Sequence, residues 1–233
     1  YLTKEPEMLK MLSEIFENCH SHASRFASLA DSANHAAEQM AFLSATFSER
    51  STGYSLQMEP CFMPVLTKET LQKYVRKDLP GREIFLVQLQ DYTRQLAKQK
   101  MIYICSMEGI LRFLQNGRIP EIPDGLYEIP TASDRIQIVK ALLAPERATR
   151  LRILKNSIGN TETPVYLYIT PKTGTLRLPL ATDQMVNLQI QETGMLEAFY
   201  DFCENLDEEM FYSFEEAEQI VEEEMNNQGW KAE

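Results

Sequence analysis

The stretch that decides the fold is Pro6–Glu49, which reads PEMLKMLSEIFENCHSHASRFASLADSANHAAEQMAFLSATFSE. After Pro6 it contains no glycine and no proline, and its seam residues recur at alternating steps of four and three. These residues are Met8, Leu12, Ile15, Cys19, His22, Phe26, Leu29, Ala33, Ala36, Met40, Leu43 and Phe47. The spacing is typical of a coiled-coil seam, so it predicts a helical segment with one face that needs a partner.

The length of this segment limits what its partner is. One straight helix over Pro6–Glu49 would extend about 65 Å, whereas a compact domain of this size is about 45 Å across. The segment therefore either pairs with another chain or folds back. Its weak point is Ala30–Asn34, where the seam is alanine and Asp31, Ser32 and Asn34 are good capping residues. Two arrangements are predicted, a helical hairpin that breaks there or a long dimerisation helix. The seam expected in either case is formed by Met8, Leu12, Ile15, Phe26, Leu29, Met40, Leu43 and Phe47.

Composition indicates an ordinary globular chain, with 44% hydrophobic and 24% charged residues among 233. No apolar run approaches the length of a membrane-spanning helix, so no membrane association is expected. Four cysteines are scattered in apolar patterns, which favours reduced thiols and a cytoplasmic location: Cys19, Cys61, Cys105 and Cys203. Because the chain starts with tyrosine, we also expect that it is part of a longer protein.

The net charge of −11 is concentrated at one end. From Glu204 to Glu233 there are eleven acidic residues against Lys231 alone, so the rest of the chain is nearly neutral. Nucleic-acid binding needs clustered lysine and arginine. We therefore do not expect this chain to bind DNA by itself.

Beyond the helical segment the sequence predicts an α/β fold with a helix-flanked mixed sheet, and a helix-rich α+β fold is the alternative. Predicted helices are Lys68–Lys77, Arg82–Gln99, Met107–Gln115, Ser133–Leu143, Pro145–Asn156, Met195–Asn205 and Ser213–Met225. Predicted extended segments are Tyr54–Thr67, Met101–Cys105, Val165–Ile169, Thr175–Leu180 and Met185–Ile190. Thr67 and Ser133 are predicted helix caps, and Ser213–Glu216 fits a capping box. Pro171–Gly174 is predicted to be a hairpin turn with a positive φ at Gly174. The connector Asn116–Thr131 holds three prolines and two glycines. The predicted organisation is a helical unit at 1–52 and an effector-binding domain at 53–233, built from halves at 53–118 and 132–233.

No arrangement of catalytic residues is recognisable in the sequence. All three histidines lie at or before His35, and there is no G-x-S-x-G elbow, P-loop or G-x-G-x-x-G. Cys19 and His22 have a spacing that suits a metal, but no third ligand is placed near them. We therefore predict no catalytic residue, no metal site and no cofactor.

Three features are candidates for binding a ligand. Ser106 lies between a predicted strand and a helix, where backbone N–H groups suit an anion or a carbonyl, although such junctions are usually structural. Tyrosines offer an apolar wall with a polar tip, and the candidates are Tyr103, Tyr127, Tyr166 and Tyr168. Arg147 and Arg150 are predicted to share a helix face that suits a phosphate or a carboxylate. Arg152 and Lys155 belong to the same basic cluster. The alternative to ligand binding is that these side chains are solvated or pair with the acidic tail.

The second half of the chain carries a pattern that points to one group of regulators. The residues concerned are Asp134-Arg135-Ile136, Arg150–Lys155, Pro164–Ile169, Glu197–Phe202 and Ser213–Ala217. The pattern resembles the C-terminal part of Cro-repressor-like helix-turn-helix transcriptional regulators from Gram-positive anaerobes, over Arg82–Met225 at most. The resemblance implies a DNA-binding domain upstream of Tyr1. Some such domains look like degenerate phospholipase-D-type folds, but the paired H-x-K signatures of catalysis in that fold are absent here.

The leading hypothesis is a non-enzymatic sensor and dimerisation region of a bacterial transcriptional regulator. We expect it to be cytoplasmic and homodimeric and to bind a small-molecule or protein effector, with DNA contacted only through the upstream domain. Two alternatives from other classes remain open. One is a protein-interaction adaptor that uses the acidic helix at Glu215–Glu224, and the other is a small cytoplasmic hydrolase-type enzyme without a recognisable motif.

Overall fold

The computed structural model describes residues 29–46, 52–158, 166–181 and 184–230. Its helices are α1 (Leu29–Thr46), α2 (Lys68–Tyr74), α3 (Arg82–Lys98), α4 (Met107–Asn116), α5 (Ala132–Leu142), α6 (Thr193–Glu204) and α7 (Phe214–Asn227). Its strands are β1 (Thr52–Gln57), β2 (Lys100–Ser106), β3 (Leu151–Leu154), β4 (Tyr166–Ile169), β5 (Gly174–Ala181), β6 (Gln184–Ile190) and β7 (Phe211–Tyr212). The predicted α/β class with a mixed sheet is confirmed.

All seven described strands belong to one sheet, in the order β6-β5-β4-β1-β2-β3-β7. The centre is parallel, because β1 pairs with β2 and β2 with β3 in parallel register. Both flanks are antiparallel, through β4–β5–β6 on one side and β7 on the other. Helices α2 and α3 connect β1 to β2, and α4 and α5 connect β2 to β3, as parallel pairing requires a long crossover.

The two faces of the sheet are covered differently. Helices α1 to α5 and α7 contribute buried residues to a large core cluster that also takes Tyr103, Ile153 and Tyr168 from the sheet. Helix α6 covers the opposite face, where Leu196 and Cys203 pack with Ile104, Leu167 and Ile169. The molecule therefore has three layers, with the sheet in the middle.

Side-chain capping explains several helix starts. The hydroxyl of Thr67 accepts from the backbone N–H of Thr70 at the start of α2. Ser213 and Glu216 form the capping box expected at α7, because each side chain accepts a backbone N–H of the other residue. These caps satisfy backbone donors that the first helical turn leaves without partners.

One predicted helix is wrong. The helix expected over Pro145–Asn156 is a single 3-10 turn, Pro145–Arg147, followed by the edge-proximal strand β3. Proline at a first helical turn favours a helix here, whereas pairing with β2 makes the segment a strand. The helix predicted over Ser133–Leu143 is α5, which begins one residue earlier, at Ala132, because Thr131, not Ser133, is its cap.

Glycine at the β4–β5 hairpin has a different reason from the predicted one. A positive φ was expected at Gly174, but the described glycines with positive φ are Gly81, Gly117, Gly125 and Gly229. At Gly174 the cause is space, since an added Cβ would lie 2.7 Å from Cδ1 of Ile169. The hairpin therefore requires a small residue, not a left-handed one.

Helix α1 shows part of the predicted seam. It runs through Ala30–Asn34 without a break, so the break predicted there is wrong, and the capping residues lie on one continuous helix. Met40 and Leu43 are buried in the core, while Leu29 is 36% exposed. The seam residues Met8, Leu12, Ile15, Phe26 and Phe47 lie outside the described residues, and so do Cys19 and His22. Among the described helices none is both long and apolar enough to cross a membrane.

Candidate ligand-binding site

A band of polar side chains crosses the sheet on the face beneath α1 and α3, and we call it the polar face. Cross-strand pairs define it, because directly paired residues point to the same side. One row joins Asn187, Arg177, Tyr166 and Gln57 across β6, β5, β4 and β1. The next row joins Thr175, Tyr168, Ser55 and Tyr103 across β5, β4, β1 and β2. Nearly every member of the two rows is buried.

Hydrogen bonds fix the middle of the polar face. The amide nitrogen of Gln57 donates to the hydroxyl oxygens of Ser55 and Tyr168, at 2.8 Å each. At the edge, Nε of Arg177 donates to Oδ1 of Asn187 over 3.1 Å. The amide of Asn187 in turn donates to Oε1 of Gln39 on α1. Two consecutive side-chain hydrogen bonds, from Arg177 to Asn187 and from Asn187 to Gln39, therefore connect the polar face to helix α1.

The segment after β1 adds Glu59 and Cys61 at the carboxyl end of the parallel strands. Close packing positions it, because a Cβ on Gly109 in α4 would lie 2.1 Å from the carbonyl oxygen of Met58. Ser106 holds the same carbonyl, which accepts from its hydroxyl at 2.9 Å. Glu59 then accepts a hydrogen bond from the hydroxyl of Tyr166 at 3.1 Å. The carboxyl ends of parallel strands are where α/β folds usually bind ligands.

Two more groups approach the polar face from the covering layer. Tyr92 comes from α3 and is fully buried. Glu121 comes from the irregular segment between α4 and α5 and is 5% exposed. Its charge and that of Arg177 affect each other's pKa, and both groups affect the pKa of Tyr92. The helix layer and the sheet therefore bring acidic, basic and phenolic groups together in the interior.

Six buried polar atoms of this cluster form no hydrogen bond within the part of the chain that the structure describes. They are Oε1 of Gln57, the hydroxyl oxygens of Tyr92 and Tyr103, both carboxylate oxygens of Glu121, and Oγ1 of Thr175. Leaving a buried polar atom without a partner typically costs about 1–3 kcal/mol. Native interiors contain few such atoms. Their concentration around the polar face makes this cluster the candidate ligand-binding site.

Electrostatics sets the protonation of these groups. Burial raises the pKa of Glu121 to about 7, against the opposing effects of the Cys61 thiol and the Arg177 charge. Burial also raises the pKa of Tyr92 and Tyr103 well above the usual phenol value, so both remain hydrogen-bond donors. The pKa of the Cys61 thiol is likewise raised well above normal by burial and by Glu121. Cys61 is therefore a poor nucleophile, since the thiolate is the reactive form.

Two surface clefts lie on the outer side of the connecting segment. One, of about 480 Å³, is bounded by Arg118, Tyr127 and Arg135 among others, and the second, of about 470 Å³, by Lys73 and Arg76. Their charged groups are already engaged, since Arg76 pairs with Asp78 and Arg135 donates to backbone carbonyls. We therefore place the site at the buried cluster, not in these clefts.

The seven predicted ligand residues occupy different places. Tyr103, Tyr166 and Tyr168 come together on the polar face. Burial raises the pKa of Tyr103, and the charge of Arg147 lies close enough to oppose this effect. Arg147 also donates to the carbonyl oxygen of Pro64 at 2.7 Å.

The other predicted residues have backbone partners. Tyr127 contacts the backbone of Ile119 through its hydroxyl, and Ser106 caps α4. Arg150 donates to the carbonyl of Gln99 at 3.4 Å. The helix face predicted to join Arg147 and Arg150 does not exist, because that segment is a 3-10 turn leading into β3.

The sequence patterns did not point to Arg177, Glu121, Tyr92 and Gln57. Arg177 lies in a strand where polar and apolar residues alternate, a pattern that normally indicates one face in solvent. Glu121 lies in the proline-rich connector, whose composition predicts only a loop that joins two halves. The available signal was the pair of tyrosines in β4, a strand buried on both faces.

In comparisons with known proteins, no family model, curated protein or solved structure matches this chain. The geometry of the polar face is therefore the basis for assigning a function.

Proposed function

We propose that this chain is the non-enzymatic sensing region of a larger cytoplasmic regulator, and that its effector binds at the buried polar face. The observation that carries the proposal is the concentration of partnerless buried atoms on that face, within the described residues. A ligand that supplies hydrogen bonds to Tyr92, Tyr103 and Glu121 would remove their desolvation penalty. Sensing, not turnover, is favoured because burial and Glu121 hold the Cys61 thiol protonated, so that the thiol is a poor nucleophile.

A sensor also needs an output element whose position depends on the ligand. Helix α1 suits this role, because its Gln39 bonds to Asn187, which holds the guanidinium of Arg177. A ligand that moves Arg177 would change this contact. The proposal extends to an output through homodimerisation and an upstream DNA-binding domain, as the sequence pattern implies.

The proposal is tested by thermal unfolding of the whole chain against a chemically broad library of anionic, neutral and cationic metabolites. Compounds that bind the polar face should raise the melting temperature of the wild-type chain but affect Tyr103→Phe less. Hydrogen exchange should show increased or decreased protection of Leu29–Thr46 with such a compound, and Gln39→Ala should weaken that response. If no compound shifts the wild-type melting temperature, the sensing function is wrong.

A further inference from the structure

We infer that the polar face binds a small organic anion, a carboxylate or a phosphate ester, whose charged group lies on Arg177 and the hydroxyl of Tyr92. This inference rests on the proposed function and specifies its ligand class. It depends on Arg177, on the two phenols and on Glu121, which are taken in turn.

Arg177 is a buried cation without a full counter-charge. It is 3% exposed, and among the described carboxylates none forms an ion pair with it within 4.0 Å. Its side-chain partners are neutral: the amide oxygen of Asn187 accepts the Nε–H and so fixes the plane of the guanidinium, and the hydroxyl of Tyr168 is a second hydrogen-bond partner. A buried charge is normally paired, and arginine is the residue that best matches the two oxygens of a carboxylate or phosphate.

The phenol of Tyr92 adds a neutral donor beside Arg177. Arg177 and Tyr92 lie near each other, since each influences the pKa of the other. The Tyr92 hydroxyl is buried and has no acceptor among the described residues. A donor hydroxyl beside a fixed guanidinium is suited to an oxyanion. The hydroxyl of Tyr103, on β2 three strands from Arg177, also has no described partner and offers a donor to the body of the ligand.

Glu121 does not supply the missing negative charge in full. With a pKa of about 7 it is roughly half protonated at neutral pH, and it is a donor when protonated. Glu59 is engaged elsewhere, with the hydroxyl of Tyr166 and with Arg112 at 3.6 Å. Oε1 of Gln57 and the Glu121 carboxyl also offer acceptors, which suit a hydroxyl or amino group on the body of the ligand.

The experiment compares isosteric pairs on the whole chain at constant ionic strength, with the melting temperature as the readout. The probes are succinate against succinamide, glycerol 3-phosphate against glycerol, and ethanolamine as the cation. At least one anion should raise the melting temperature by about 2 °C or more, while its neutral partner has no effect. Succinate and glycerol 3-phosphate separate the carboxylate from the phosphate source. The stabilising effect should decrease as pH rises through about 7, because an anion favours protonated Glu121.

Variants assign the effect to the site. Arg177→Gln should weaken the affinity for the anion by tenfold or more, since a charge-assisted hydrogen bond typically contributes about 1.5–3 kcal/mol. Arg152→Gln is the matched control, because Arg152 lies on β3 outside the cluster, where it pairs with Glu208. If Arg177→Gln does not fold, Tyr92→Phe decides, since it keeps the ring and removes the donor beside the guanidinium.

The outcomes separate the ligand class from the sensing function. Stabilisation by anions that is lost in Arg177→Gln or reduced in Tyr92→Phe, and retained in Arg152→Gln, supports the inference. Stabilisation only by neutral or cationic compounds, or an anion effect that survives Arg177→Gln, overturns the ligand class and leaves the sensing function standing. If neither these probes nor the broad library shifts the melting temperature, both are wrong.

Discussion

The two faces of one sheet differ sharply in chemistry although both are buried. Under α6 the strands present Ile104, Leu154, Leu167 and Ile169, and we call this the apolar face. On the polar face the same strands β2 and β4 present Tyr103, Tyr166 and Tyr168 instead. The first arrangement is what hydrophobic burial favours, since each buried aliphatic side chain stabilises the fold by about 1.5–3 kcal/mol. The second retains polar groups where apolar ones would fit.

The difference indicates that packing stability explains the residues of one face but not those of the other. The apolar face favours stability, whereas the partnerless polar atoms of the polar face lower it, and the ligand binding that we propose would explain why they are present. Functional sites commonly carry such a stability cost. The comparison can be tested by substitutions that should act in opposite directions on the two faces.

The largest expected effect is on the apolar face. Ile169→Ala should lower the free energy of unfolding by about 2–5 kcal/mol, because the fully buried side chain leaves a cavity. Urea unfolding measures the loss. Ile84→Ala is the matched control, since Ile84 on α3 is 69% exposed and its replacement should cost little. Equal losses in the two variants would contradict the assignment of the apolar face as the stabilising one.

The next effect concerns pH and the polar face. Because the pKa of Glu121 is raised from 4.5 to about 7 in the folded chain, the folded state binds an extra proton between these values. The stabilisation from this group is therefore complete below about pH 4.5 and decreases as the pH rises towards 7. Above about pH 7 no further change is expected, and the total loss in the free energy of unfolding is about 3 kcal/mol. Glu121→Gln should remove this fall in urea unfolding measured between pH 5 and about 8. An unchanged pH profile in the variant would show that Glu121 is not the titrating group.

Removing a phenol hydroxyl from the polar face is expected to change the free energy of unfolding by a smaller amount and in the opposite direction. Tyr103→Phe should raise the free energy of unfolding of the unliganded chain by about 1 kcal/mol, because it removes a buried hydroxyl without a described partner. Tyr54→Phe, on the apolar face, should not raise it, since its ring packs edge-on against Tyr200 with centroids 5.1 Å apart. Destabilisation by Tyr103→Phe would mean that the hydroxyl is satisfied in the folded protein.

The smallest effect distinguishes the arginines of the two faces. Arg152 lies above the ring of Phe211 at 3.9 Å and pairs with the exposed Glu208 at 2.6 Å. Arg152→Met should change stability by less than about 1 kcal/mol, because exposed pairs contribute little. The Arg152→Met variant should bind any anion that Arg177 binds with the same affinity as the wild type, as measured by calorimetry. A large loss of anion affinity would place Arg152 in the binding site.

Local sequence patterns predicted most of the fold. The caps at Thr67, Ser106 and Ser213 and the hairpin before Thr175 were identified because their signals lie within a few residues. The segment after Pro145 was assigned wrongly because proline at a first helical turn favours a helix, and only pairing with β2 selects the strand. For the site, the tyrosines of β2 and β4 were recognised from their type, while Arg177 and Glu121 were not.

By itself, the sequence determined the class of fold, the position of most elements and the lack of recognisable catalytic motifs, since these depend on short-range patterns. Tertiary structure alone decided which side of each alternating strand is covered. An alternating strand has a polar side in either case, and whether that side meets water or a helix depends on contacts between residues far apart in the chain. Arg177 is buried on the side of the sheet that Tyr92 of α3 and Gln39 of α1 approach, and that burial makes a strand pattern typical of a surface part of the proposed binding site.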